Sequence, residues 1–168
     1  ADIQETEQPA AGPAAAIVFA SDHPISSMGV SAYPREVTPM MVINLATGGA
    51  AASVLARLNG IPLHVVDVGT EPYPAPQMGL GMHWIRAVRA GVVGDLVESD
   101  AMDAHALEAA MQAGADAVDT LPQDTRVVIF GEMGIGNTTP ASALSARLMN
   151  KTATDMVGPG TGVQGDVL

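Results

Sequence analysis

A glycine-rich segment at residues 131–139 contains residue types that could bind an anion. It reads Gly-Glu-Met-Gly-Ile-Gly-Asn-Thr-Thr, follows an apolar run at 127–130 and precedes a helix-like stretch at 140–149. Glycine lets the backbone come close to a ligand, and the first amides of a helix have no partner within that helix. Such amides, together with the positive end of the helix dipole, favour a phosphate. The alternative is an ordinary strand-to-helix turn, which every doubly wound sheet contains.

The residues around this segment refine the prediction. Pro140 suits the first position of a helix, where no amide is needed, and Thr139 before it suits the cap. A carboxylate such as Glu132 is a poor ligand for phosphate but a good one for ribose hydroxyls or an azole nitrogen. We therefore predict a strand that ends at Phe130, a ligand-binding turn, and a helix that starts at Pro140.

The rest of the chain alternates between short apolar runs and segments of helical periodicity. The predicted strands are 14–20, 63–68 and 126–130. The predicted helices are 38–47, 50–58 after the break at Gly48-Gly49, and 103–118 with Asp103 as its cap, whereas 71–82 is predicted to be a long loop. This order favours a parallel sheet in a Rossmann-like, three-layer α/β domain. Three strands are few for such a sheet, so the predicted domain is incomplete; it spans 14–168 and follows a flexible tail at 1–13.

Composition argues against several classes of function. The net charge of −11, with seven Lys and Arg in total, opposes binding to nucleic acid or to an anionic membrane. The absence of cysteine excludes disulfides and thiolate chemistry. No apolar run approaches the length of about 18 residues that a membrane span needs, so we expect a soluble, cytoplasmic protein. The four histidines are scattered along the sequence without close partners, which predicts no metal site; they are His23, His64, His83 and His105.

Five blocks of sequence, in order, resemble the nicotinate-nucleotide:dimethylbenzimidazole phosphoribosyltransferases, which make the lower ligand of cobalamin. The glycine-rich segment at 131–139 is one block. The others are the Asp-His, Gly-Val-Ser-Ala-Tyr-Pro and Glu-Val-Thr motifs within 18–38, the Gly-Gly-Ala-Ala helix within 44–58, Asp-Val-Gly at 67–69, and Gly-Pro-Gly-Thr-Gly at 158–162. The resemblance implies phosphoribosyl transfer from nicotinate mononucleotide to dimethylbenzimidazole or a similar azole, without a cofactor, giving α-ribazole phosphate.

The family's sequences extend beyond both ends of the resemblance. Their amino-terminal Lys-Pro-x-Gly-Ser-Leu-Gly motif has no counterpart here, nor does their carboxy-terminal half, which carries the glutamate taken as general base. No catalytic residue is therefore identified in this chain. We expect a fragment, a split subunit or a divergent relative, acting as a homodimer or with a chain that supplies the missing half. A non-catalytic nucleotide- or azole-binding subunit is the alternative.

The resemblance also implies a substrate site. Ser31 matches the family serine whose hydroxyl faces an azole nitrogen, the alternative being a turn serine. Pro39 stands where the family usually has a glutamine facing the same pocket, which bears on the choice of azole. The predicted substrate-binding residues are Ser31, Tyr33, Glu132, Met133, Gly134, Gly136, Asn137, Thr138 and Thr139.

Three further residues are candidates for the same site. Asp22 and His23 follow the first predicted strand, where α/β proteins bind ligands, although they could equally anchor the loop. Pro24 replaces the glycine that usually follows the histidine in the family. Met40, with Met41, could pack against an azole ring, the alternative being the core of the helix.

Overall fold

A parallel four-stranded sheet is the centre of the structure, a computed structural model that describes residues 4–87 and 94–162. Its strands, in the spatial order β3-β2-β1-β4, are β1 (Ala14–Ser21), β2 (Leu63–Gly69), β3 (Met82–Arg86) and β4 (Val127–Met133). Every neighbouring pair is parallel. The predicted α/β class with a parallel sheet is therefore confirmed.

Helices cover both faces of this sheet. They are α1 (Val37–Thr47), α2 (Ala51–Leu58), α3 (Ala104–Asp119), α4 (Thr138–Met149) and the short α5 (Ala153–Met156), with a 3-10 helix at Pro24–Met28. One apolar cluster joins the sheet to α1 and α2, and a second joins its opposite face to α3. Because β1 contributes to both clusters, its residues are apolar at successive positions, as expected for a central parallel strand.

The start of α3 follows its sequence closely. Asp103 has an extended backbone, and its carboxylate accepts a hydrogen bond of 2.7 Å from the amide of Ala106. This interaction satisfies one of the free amides at the start of the helix. The predicted cap is confirmed.

Strand β3 was not predicted, because residues 71–82 read as a long loop followed by polar residues. The loop ends where β3 begins at Met82, and β3 pairs only with β2. A five-residue edge strand carrying His83, Trp84 and Arg86 lacks the continuous apolar run by which a buried strand is recognised. Among the described residues the sheet thus has one strand more than the three that the sequence identifies.

Two boundaries near the glycine-rich segment also differ from the prediction. β4 extends to Met133, so Glu132 lies within the strand and not beyond its end. α4 begins at Thr138, two residues before Pro140, and Asn137 occupies the cap position without a side-chain hydrogen bond. Proline is compatible with this placement because amides of the first helical turn have no partner in the helix.

One stretch among the described residues, Val37–Leu58, is long and apolar enough to cross a membrane by length and composition, contrary to the expectation of no such run. It is two helices, α1 and α2, separated by Gly48 in the left-handed conformation. Val42, Leu45 and Ala56 of these helices are buried in the cluster against the sheet. The stretch is thus part of the hydrophobic core.

The predicted boundary between a tail and a domain at residue 13 remains a prediction. Residues 4–13 form turns, and Gln4 exchanges two hydrogen bonds of 2.9 Å with the backbone of Ala10. Both predicted segments, 1–13 and 14–168, also include positions outside the described residues.

Candidate functional site

A cavity of about 200 Å³ lies beyond the carboxyl ends of β1 and β4. Within the sheet, β2 and β3 lie on one side of β1, whereas β4 lies on its other side. The strand order therefore reverses between β1 and β4. In open α/β sheets, ligands bind in the crevice at such a switch point.

Seven of the nine predicted substrate-binding residues line this cavity. They come from two separate parts of the chain: Ser31 from the loop after β1, and the others from the end of β4 and the start of α4. The seven are Ser31, Glu132, Met133, Gly134, Gly136, Asn137 and Thr138, and the lining also includes Val30, Ile135 and Thr161.

Residues 134–137 connect β4 to α4 and are called the glycine turn below. Gly136 has a φ of +86°, a backbone conformation that L side chains rarely adopt. A Cβ added to Gly134 would clash with the carbonyl oxygen of Ser21 and lie 2.9 Å from Nε2 of His23. Both glycines are therefore required by the local geometry, one by its φ and the other by the close approach of the loop after β1.

The amides in and after the glycine turn alternate in their hydrogen bonding. The Ile135 amide donates to Oγ1 of Thr38 at 3.0 Å, and the Asn137 and Thr139 amides donate to turn carbonyls at 3.0 and 3.1 Å. Within residues 4–87 and 94–162, no hydrogen bond uses the amides of Gly134, Gly136 or Thr138. Those three residues all line the cavity, so their amides are available to a ligand.

Ser31 also lines the cavity, and its hydroxyl is paired with that of Thr161. Their two hydroxyl oxygens are 3.3 Å apart, and Oγ1 of Thr161 accepts a 3.0 Å hydrogen bond from the Ala32 amide. The Ser31 hydroxyl also accepts from the Tyr33 amide at 3.2 Å. Ser31 is thus a turn serine and a lining residue at once, and its hydroxyl hydrogen can point to Thr161 or to a ligand.

Asp22 and His23 lie behind the glycine turn. Asp22 is buried; its Oδ2 accepts from the Glu71 amide, and Oδ1 is 3.9 Å from Nε of Arg35. Burial raises the pKa of Asp22, against the opposing effects of the Glu71 amide and Arg35. These contacts identify Asp22 as an anchor of the loop.

The His23 imidazole packs against Gly134, next to the cavity. Burial lowers the pKa of His23, although the Asp22 carboxylate and a hydrogen bond with Asn137 act in the opposite direction. A lowered pKa leaves the ring neutral at pH 7, so it adds no positive charge to the site.

Comparison with known proteins agrees with this geometry. The sequence pattern of a family described as "Phosphoribosyltransferase" matches residues 1–168. The chain belongs to this family.

The curated relatives that match this chain carry one shared name. A nicotinate-nucleotide–dimethylbenzimidazole phosphoribosyltransferase from Bradyrhizobium sp. (strain BTAi1) is 45% identical over 166 residues, which are 99% of this chain and 46% of the relative. One from Pseudomonas savastanoi pv. phaseolicola (strain 1448A) is 44% identical over 168 residues, with the same two coverages. The chain thus spans about half the length of the curated relatives it matches.

A solved structure shares the fold. The crystal structure of CobT from Thermus thermophilus superimposes with a TM-score of 0.86 at 35% identity, covering 99% of this chain and 49% of that one. A second structure from the same organism, described as a nicotinate-nucleotide–dimethylbenzimidazole phosphoribosyltransferase, gives a TM-score of 0.80 at 34% identity. The Rossmann-like, three-layer arrangement of this chain is therefore that of about half of a larger known structure.

Five predicted site residues do not line the cavity: Asp22 and His23, described above, and Tyr33, Met40 and Thr139. Thr139 is in the first turn of α4, where its amide bonds to Gly136. Tyr33 and Met40 have 57% and 65% of their surface exposed. The helix-core alternative for the methionines is correct for Met41, which packs on the core, and wrong for Met40.

Two of the histidines are neighbours, contrary to the expectation that all four are scattered. His64 on β2 and His83 on β3 stack with ring centroids 4.4 Å apart. Burial lowers the pKa of His64, and the charge of His83 lowers it further. In the part of the chain that the structure describes, no group of three or more His, Cys, Asp or Glu residues is placed to hold a metal ion.

Sequence reasoning did not single out several residues of the site, among them Thr161 and Thr38. Thr161 lies in the Gly-Pro-Gly-Thr-Gly block, whose resemblance to the family was the available signal. Thr38 lies in the Glu-Val-Thr motif, and nothing in its neighbourhood indicates a bond to Ile135, 97 residues away. Contacts across such distances in sequence depend on the pairing of β1 with β4.

Proposed function

We propose that this chain takes part in phosphoribosyl transfer from nicotinate mononucleotide to dimethylbenzimidazole or a similar azole, giving α-ribazole phosphate. The observation that carries the proposal is the cavity between the ends of β1 and β4. It is lined by the three residues with available amides and by the hydroxyl residues Ser31 and Thr161. Membership of the phosphoribosyltransferase family and the shared name of the curated relatives support it. The activity and substrates belong to the proposal because the chain spans about half of those relatives.

The reaction depends more on positioning the two substrates than on strong activation of the nucleophile. An azole nitrogen forms a bond to C1′ of the ribose, the bond from C1′ to the pyridinium nitrogen breaks, and its electron pair neutralises the departing nicotinate. The azole loses one proton to a base. Holding the two reactants in line removes much of the entropic barrier, and a base adds about 10² to 10⁴ in rate.

Each wall of the cavity suits one part of the substrates. The amides of Gly134, Gly136 and Thr138 suit the phosphate, because a loop before a helix amino terminus is a favourable anion site. Glu132, exposed at the end of β4, suits the ribose hydroxyls or the azole N–H. Ser31, which lines the same cavity, suits an azole nitrogen.

The general base comes from outside these residues in this proposal. The resemblance assigns it to the carboxy-terminal half of the family, and this chain matches 46% of the Bradyrhizobium relative. We propose that the present residues bind and orient both substrates, within a longer chain, a homodimer or a complex that supplies the base. A cytoplasmic location is part of the same proposal, since both substrates are small soluble metabolites.

A chimera tests the proposal. The matched 166 residues of the Bradyrhizobium relative are replaced by this chain, and α-ribazole phosphate is measured by chromatography. Retained turnover is expected, with loss of most activity in the Gly134→Ala chimera and little change in Gly114→Ala, where an added Cβ meets no atom within 4 Å.

Two results would contradict the proposal. One is a folded chimera that binds nicotinate mononucleotide but makes no product, which would favour the non-catalytic binding subunit. The other is robust product from these 168 residues alone, which would place the general base among them.

A further inference from the structure

The Thr38 side chain connects helix α1 to the glycine turn. It sits in the first turn of α1, has no exposed surface, and does not line the cavity. Its Oγ1 accepts the Ile135 amide at 3.0 Å. Burial raises the pKa of the neighbouring Asp22 carboxylate, and the Thr38 hydroxyl opposes that rise.

We propose that Thr38 is a positioning residue, whose hydroxyl fixes the conformation of the glycine turn so that the amides of Gly134, Gly136 and Thr138 can bind the phosphate. The inference rests on the proposed function only for the identity of that ligand. It assigns a role in the site to a residue on the far side of the turn from the cavity.

A hydroxyl is the group that this position needs. Ile135 is buried, so its amide requires a partner inside the protein. A hydroxyl can accept from that amide, which an apolar side chain of the same volume cannot do. Replacing Thr38 by valine would leave a buried donor unpaired, at a cost larger than the net value of an ordinary hydrogen bond.

Besides the hydrogen bonds that the Asn137 and Thr139 amides donate to Gly134 and Gly136, Thr38 provides the one side-chain hydrogen bond to a backbone amide of the glycine turn among the described residues. Gly134 and Gly136 restrict the backbone least of all residues, so several conformations are open to this segment. Fixing the Ile135 amide toward Thr38 selects one in which the amides on either side stay unpaired and line the cavity. This hydrogen bond therefore couples α1 to the conformation of the glycine turn.

The test compares Thr38→Val with Thr38→Ser in the 168-residue chain. Hydrogen exchange of the Ile135 amide is followed by NMR without ligand, and the affinity for nicotinate mononucleotide is measured by calorimetry. Thr47→Val is the control: this threonine is on the same helix, but its hydroxyl bonds only to carbonyls of α1. Global stability is measured for every variant by urea unfolding. Should Thr38→Val not fold, Thr38→Ala removes the same hydroxyl with a smaller side chain.

Thr38→Val is expected to lower the protection of the Ile135 amide at least tenfold and to weaken ligand binding by about tenfold, the scale of one lost buried hydrogen bond. Thr38→Ser and Thr47→Val should behave like the unmodified chain in both measurements. Unchanged Ile135 protection in Thr38→Val overturns the inference, as does lowered protection with an affinity within twofold of the original. If the unmodified chain does not bind the nucleotide, the proposed function fails, while the exchange measurement still decides whether Thr38 holds the turn.

Discussion

Two groups of polar residues lie at the carboxyl ends of the strands, and they differ in how many of their polar atoms have hydrogen-bond partners. At the ends of β2 and β3, Asp67 is fully buried and accepts hydrogen bonds from the Gly69 amide and from both the amide and the hydroxyl of Thr70. Arg86 lies 3.6 Å from the same carboxylate and donates to the Thr70 carbonyl at 2.7 Å. At the ends of β1 and β4, the cavity leaves three amides without a partner among the described residues.

The β2–β3 group extends to two aromatic side chains. The indole N–H of Trp84 donates to the Tyr73 hydroxyl at 2.8 Å, and the Arg86 guanidinium lies 5.1 Å from the centre of the Tyr73 ring. Burial raises the pKa of Tyr73, so its hydroxyl stays neutral. A group that satisfies its own polar atoms holds the loop in place, whereas unpaired amides beside glycines are available to a ligand. The comparison therefore predicts that mutations at one end change stability and those at the other change binding.

The largest expected effect comes from breaking the paired group. Asp67→Ala removes the acceptor of three hydrogen bonds and leaves Arg86 without its carboxylate. We expect the free energy of unfolding to fall by about 3–5 kcal/mol, as for loss of one partner of a buried ion pair. Urea unfolding measures it, with Asp116→Ala on the exposed face of α3 as a control within about 0.5 kcal/mol of the original. Equal losses in the two variants would contradict the structural role.

Gly134→Ala is the corresponding change at the cavity between the ends of β1 and β4. The added methyl would meet the Ser21 carbonyl and the His23 ring. Overpacking of this kind costs about 1–3 kcal/mol in stability, and displacement of the turn should abolish detectable binding of nicotinate mononucleotide. Gly114→Ala, in the middle of α3 with no atom near the added Cβ, should instead gain up to about 1 kcal/mol. Calorimetric titration and urea unfolding of both variants test the prediction, and normal binding by Gly134→Ala would refute it.

Glu132→Gln is expected to separate binding from stability. The side chain is exposed at the cavity and holds no ion pair among the described residues. Unfolding should therefore change by less than about 0.5 kcal/mol, whereas affinity should fall by roughly tenfold or less, the worth of one hydrogen bond. In an active chimera, complete loss of turnover that no change of pH restores would identify Glu132 as the general base, against this account.

The smallest effect concerns the stacked histidines on β2 and β3. Since the pKa of His64 is lowered in the folded chain, acidification from above pH 6.5 protonates the unfolded state first and removes stability. His83→Gln removes the neighbouring charge, so the pKa of His64 should rise and the loss of stability on acidification should become smaller. NMR titration of the His64 ring measures this shift. Binding of the nucleotide at pH 7 should not change, because neither ring lines the cavity.

The sequence was most informative where local rules decide the structure. Asp103 capped α3 as predicted, and the glycine-rich segment lies between a strand and a helix because glycines, Asn137 and Thr138 suit that transition locally. The predicted end of the strand was wrong: β4 includes Glu132, since its pairing with β1 continues to Met133. Backbone pairing between distant strands decides such boundaries, and a local pattern does not contain it.

The rest of the site depends on tertiary contacts. Ser31 and Thr161 meet across 130 residues, and Thr38 meets Ile135 across 97. The local sequence around each residue does not indicate that it contacts its partner. The strand order, in which β4 lies beside β1, brings the partners together. β3 was missed for a related reason: as a short edge strand it pairs with β2 alone, so its sequence need not be apolar on both faces.

The most direct test of the central claim is an NMR titration of the 168-residue chain with nicotinate mononucleotide. The amide resonances of Gly134, Gly136 and Thr138 should shift first and furthest, and those of Thr70, with the indole resonance of Trp84, should stay fixed. Inorganic phosphate should shift the same three amides at higher concentration. Shifts confined to the β2–β3 group, or to 158–162 alone, would show that the ligand binds elsewhere and would contradict the account.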